Sequence, residues 1–201
     1  MKLISTRTYR FLRAIVLFFL RLAHPVVHVK GRENIPDGAV LLCCNHSSFS
    51  DPLWVAIQAD LPVLPRTMAK KELLDIPVFG KLLRKLGAFP VNRDGSDIAA
   101  IKTAMKTLRD GNKLIIFPEG TRIRKGKKSE PHSGAILIAT RSQTPVMPIY
   151  LTTKKRLFGR IDLVFGKPYF PKTEDRRATE QELITLSDEL LKNIYRLGEA
   201  L

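Results

Sequence analysis

The sequence predicts an α/β domain, a single mixed and mostly parallel sheet of about seven strands covered by helices. Three observations carry this. Seven short runs rich in Val, Ile, Leu and Phe are bounded by Gly, Pro or Asn, as strands are. Several are separated by patterns with apolar residues three and four apart, as in amphipathic helices. The chain has 201 residues, 44% hydrophobic and 26% charged. That is one globular domain, able to bury roughly 70% of its unfolded surface without disulfides or metal.

In chain order, the expected strands are 26–30, 39–44, 63–68, 88–91, 113–117, 146–151 and 161–165. Between the fourth and fifth, Ile98, Ile101, Met105 and Leu108 share one helical face, and Asp110-Gly111 stops that helix. Near the end, Thr179-Glu180-Gln181-Glu182 reads as a capping box before a stripe of Leu183, Leu186, Leu190, Ile194 and Leu197. The two cysteines, Cys43 and Cys44, are adjacent on one strand. They point to opposite faces, so no ordinary disulfide joins them, and two thiols do not make a four-ligand zinc site. A reducing compartment fits this better than an oxidising one.

Charge divides the chain into 1–24 and 25–201. Residues 1–32 hold seven basic side chains and no acidic one. The apolar run inside them, Ala14 to Leu20, is seven residues, where a spanning helix needs about 20. A secretory leader fits poorly, because 21–25 makes a weak cleavage site. The expected element is a basic amphipathic helix lying in a lipid headgroup plane, using Arg10, Phe11, Arg13, Phe18, Phe19 and Arg21. The plainer alternative is a helix packed on the protein's own core. The formal net charge of +15 predicts a polyanionic partner without choosing one. Aromatic residues are only 7%, and no helix-turn-helix or RNA-clamping signature is present, which argues against nucleic acid.

Two motifs carry chemistry. Asn45-His46-Ser47-Ser48-Phe49-Ser50-Asp51 follows an apolar strand and runs into Pro52, with Asp51 expected as a helix N-cap. On a straight helix the His and Asp would not share a face, but a turn folds the carboxylate back onto the imidazole. A carboxylate on one ring nitrogen fixes the tautomer and leaves the other as a base. Phe117-Pro118-Glu119-Gly120-Thr121-Arg122 follows another apolar strand; Gly120 allows a sharp turn and Arg122 suits a bidentate phosphate contact. Lys70 and Arg93 also stand just past strand ends. If those strands are parallel, His46, Lys70, Arg93 and Arg122 open onto one sheet edge, where open α/β sheets bind ligands. Each alone is equally well a turn histidine or a solvated cation. A serine hydrolase is disfavoured because no Gly-x-Ser-x-Gly elbow occurs.

These motifs, with Gly87 to Arg93 and Thr144-Pro145-Val146-Met147-Pro148-Ile149, stand in the order of the four blocks of the glycerolipid acyltransferase family, which the chain resembles over about 26–170. Gly31-Arg32-Glu33-Asn34-Ile35-Pro36 and Ala69 to Leu73 look like the bacterial 1-acyl-sn-glycerol-3-phosphate acyltransferases. The resemblance implies acyl transfer from acyl-CoA or acyl-carrier protein to the sn-2 hydroxyl of lysophosphatidic acid. It makes His46 the base and Asp51 its partner, with Lys70, Arg93, Glu119, Gly120, Thr121 and Arg122 around the phosphate. A backbone amide near His46, or Lys70, would hold the oxyanion. It implies no metal and no cofactor, and a peripheral place on the cytoplasmic face of the cell membrane. Other phosphate-bearing or lysolipid acceptors remain open, as does a non-catalytic basic membrane adaptor.

Overall fold

The computed structural model describes residues 5–92, 97–122, 132–175 and 178–201. Its strands are β1 (Val27–Lys30), β2 (Leu41–Cys44), β3 (Arg66–Lys70), β4 (Ala88–Val91), β5 (Leu114–Ile116), β6 (Val146–Leu151) and β7 (Ile161–Phe165). They form one sheet in the order β1-β7-β6-β2-β5-β3-β4. Every pairing is parallel except β6 with β7, which is antiparallel. The helices are α1 (Thr6–Ala23), α2 (Asp51–Gln58), α3 (Lys71–Asp75), α4 (Phe79–Lys85), α5 (Ile98–Arg109), α6 (Gly134–Ser142) and α7 (Glu180–Glu199). The expected seven-stranded, mostly parallel α/β sheet is therefore the observed one.

β2 is central and wholly buried, which explains its unbroken apolar text. Its side chains alternate between two cores. Leu41 and Cys43 join Leu114, Ile136 and Leu190 under α5, α6 and α7. Leu42 and Cys44 join Trp54, Ile149 and Phe165 on the other face. The two thiols thus lie on opposite sides of the sheet, free and buried.

Local rules set most boundaries. The Asp97 side chain caps α5 by accepting from the Ala100 amide, and the Thr179–Glu182 capping box opens α7. One strand lies later than expected: β3 starts at Arg66, where 63–68 had been predicted. Pro65 has no amide to donate, so the ladder begins after it. The cap of α2 also differs. Ser50 is its N-cap and Asp51 is already helical, because the Asp51 carboxylate turns back into the preceding turn.

α1 packs on the body with one side and is open on the other. Tyr9 is buried and its hydroxyl donates to the Ala56 carbonyl, while Leu20 packs on the second core. Arg13 had been expected to face lipid. Instead its guanidinium donates to the Ile57 carbonyl at 3.0 Å and pairs with Asp60 at 2.7 Å, because the α2 C-terminus presents acceptors beside it. Phe11, Phe18, Phe19 and Leu22 are exposed, as are Arg10 and Arg21. Among the described residues no helix is long and apolar enough to cross a membrane.

Candidate active site

β2 lies between β5 and β6, and all three run parallel. The turn leaving the C-terminal end of β2 is thus flanked by the segments leaving β5 and β6. This topology, invisible in the linear spacing, builds the site.

Asn45 starts it. Its side-chain amide donates to the Leu151 carbonyl (2.9 Å) and its oxygen accepts from the Leu151 amide (2.8 Å), extending the β2–β6 ladder by a side chain. The chain then turns tightly enough for Asp51 to come back. Its Oδ2 accepts from the amides of Ser47 (2.6 Å) and Ser48 (2.7 Å) and lies 2.9 Å from His46 Nδ1. Donation from Nδ1 leaves Nε2 as the ring nitrogen able to take a proton. The imidazole stacks on Phe117 with centroids 4.2 Å apart. Burial pushes the Asp51 carboxyl up, but the His46 bond, the Lys155 charge and the amide hydrogen bonds outweigh it and hold it below the usual carboxylate value.

From the β5 side, Glu119 is 1% exposed. Its Oε2 accepts from the His46 amide and its Oε1 from the Tyr195 hydroxyl on α7, both at 2.6 Å. Burial pushes its carboxyl up to about 7, with the Asp51 charge adding, against the lowering pull of Tyr195 and the His46 amide. Glu119, expected in the acceptor pocket, thus sits under the His46 turn and supports it. Gly120 has φ +64°, and a Cβ there would strike the His132 ring. Arg122 reaches back over the same turn: its guanidinium carbon is 3.5 Å from the centre of the exposed Phe49 ring. Thr121 is exposed beside it.

The other expected cations differ in place. Lys70 ends β3, two strands from β2, and pairs with Glu72 at 3.0 Å. Arg93 lies outside the described residues. The amides of residues 46, 47 and 48 all donate to carboxylates, so the expected oxyanion amide is not among them. Two partners were missed in the sequence. Lys155, from the loop after β6, stands 2.7 Å from Asp51 Oδ1, and Tyr195 looked like one more residue of a packing helix.

Residues 26–152 match the Acyltransferase family. The chain belongs to that family. This acyltransferase is 31% identical over 181 residues to a 1-acyl-sn-glycerol-3-phosphate acyltransferase of Bacillus subtilis, covering 87% of this chain and 89% of the relative. It is 30% identical to one from Streptococcus pneumoniae, covering 95% and 73%. The crystal structure of the 1-acyl-sn-glycerophosphate acyltransferase from Thermotoga maritima superposes with a TM-score of 0.67 at 26% identity, over 90% of this chain and 75% of that one.

Proposed function

We propose that this acyltransferase moves a fatty acyl group from a thioester, acyl-CoA or acyl-carrier protein, to the sn-2 hydroxyl of 1-acyl-sn-glycerol 3-phosphate, giving phosphatidic acid. The observation that carries it is the 2.9 Å contact between His46 Nδ1 and Asp51 Oδ2, buried beside a cation on Phe49. The names of the relatives point to the same acceptor.

In this reading Nε2 of His46 takes the hydroxyl proton as the oxygen attacks the thioester carbonyl, and Asp51 stabilises the imidazolium. The tetrahedral intermediate collapses, the C–S bond breaks, and the imidazolium returns its proton to the leaving thiolate. Products are an ester and a free thiol, so no covalent acyl-enzyme and no cofactor is needed. With amides 46–48 taken, Lys70 is assigned the oxyanion; its exposed pair with Glu72 is weak enough to give way. Arg122 and Arg93 hold the phosphate, with Gly120 and Thr121 setting the turn that presents Arg122. The lysolipid sits in the bilayer, so α1 is assigned to the cytoplasmic membrane face, its open side of Phe11, Phe18 and Phe19 entering the headgroups. Leu157 and Phe158 are exposed beside it, since the Phe158 amide donates to the Ala23 carbonyl that ends α1.

The test is thiol release from acyl-CoA with lysophosphatidate. H46A is expected to lower turnover by ~10²–10⁴-fold; retained turnover removes His46 as base. R122A is expected to raise KM for lysophosphatidate at least about tenfold with little change in kcat, and an unchanged KM breaks the phosphate assignment. Running phosphate-free lysolipids beside lysophosphatidate separates this acceptor from its rivals.

A further inference from the structure

We infer that Lys155 is a positioning residue of the His46–Asp51 pair, fixing which carboxylate oxygen faces the imidazole and moderating the field at the ring. The inference rests on His46 being the base.

The geometry is that of a buried ammonium held by one ion pair and two hydrogen bonds. Lys155 Nζ stands 2.7 Å from Asp51 Oδ1, 3.0 Å from Ser47 Oγ and 2.7 Å from the Thr152 carbonyl. The first contact is an ion pair, and the ammonium donates hydrogen bonds to the other two oxygens. The side chain is 7% exposed, so it is no solvated surface cation, and a substrate phosphate could bind it only by displacing those partners. Asp51 is divided by this arrangement. Oδ1 takes the cation, while Oδ2 takes two amides and the imidazole. Without Lys155, Oδ1 is a buried carboxylate oxygen lacking its cation, and rotation that trades the two oxygens is no longer opposed.

Among the described residues, the charged and titratable groups facing the pair come from several elements. Glu119 approaches from β5, with Tyr195 of α7 behind it, Cys44 lies at the end of β2, and Arg122 stacks on Phe49. Among the described residues, Lys155, from the β6–β7 loop, is the Lys or Arg side chain in direct ion pair with Asp51. It partly neutralises the carboxylate and so weakens the negative field that Asp51 presents to the ring. Removing it leaves a more negative surround, and the ring keeps its proton to higher pH.

Two readouts test this. In a proton–nitrogen NMR titration, with His46 signals assigned by their loss in H46Q, K155M is expected to move the ring midpoint upward by on the order of one pH unit. The acid limb of kcat/KM for lysophosphatidate is expected to move with it, and kcat to fall on the order of tenfold. K155R keeps the charge and is expected to leave the limb near the wild-type position. A purely structural tether lowers kcat or stability in K155M and leaves both pH midpoints unmoved; that result overturns the inference. If K155M does not fold, the comparison passes to D51N against D51N/K155M, where both charges are gone from the pair. The added loss is then expected to be less than twofold, and a tenfold loss in that background overturns the inference. If the wild type does not use lysophosphatidate, the proposed function fails while the ring titration still decides the role of Lys155.

Discussion

Replacing Glu119 by Gln is expected to remove a pH dependence of stability that the wild type carries. The carboxyl is pushed from 4.5 to about 7 by burial in the fold. Between those values the folded chain holds a proton that the unfolded chain has released. Stability therefore falls as pH rises through this window, since the native state binds more protons than the unfolded one. The interval of about 2.5 pH units at about 1.4 kcal/mol each gives about 3 kcal/mol. E119Q stays neutral throughout: its carbonyl takes the His46 amide and its NH2 donates to a turned Tyr195 hydroxyl. Asp51 has the opposite sign, its contribution being present above its usual 3.8 and lost as pH falls below. It is common to both proteins and cancels in the difference. Urea unfolding of both proteins at steps from pH 4 to 8 measures that difference. E119Q is expected to gain about 3 kcal/mol on wild type between pH 4.5 and 7. Parallel curves, or a wild type that gains on the variant, would refute the burial of a shifted carboxyl under the His46 turn.

Two further outcomes follow from the geometry. G120A is expected to lose about 1–3 kcal/mol, because a side chain must take φ +64° and displace the His132 ring; an unchanged melting temperature would show that the turn bears no such constraint. F18S/F19S alters exposed positions of α1, so thermal stability is expected to hold while binding to anionic vesicles falls at least about tenfold. Wild-type binding is expected to weaken with added salt. Vesicle binding indifferent to both changes removes α1 as the docking element.

The linear text determined what short-range physics determines. Leu41-Leu42-Cys43-Cys44 and Leu114-Ile115-Ile116 are apolar on both faces, and the sheet buries them on both. The Thr179–Glu182 box acts within one helical turn, so that cap was legible too. The proximity of His46 and Asp51 was also readable, since five residues of turn close on themselves. Lys155 was not. It is 104 residues from Asp51, in a run of basic residues that reads as solvated, and only the β2–β6 pairing brings it to the carboxylate. Tyr195 was hidden in the same way, by a helix whose stripe accounts for its neighbours without it. Arg13 shows the converse: its place in a basic segment pointed to lipid, while α2 supplied a carbonyl and a carboxylate within reach. Periodicity and capping act between residues a few places apart, so one sequence suffices to read them. The partners of a buried charge are set by which strands pair, and that is decided only when the sheet assembles.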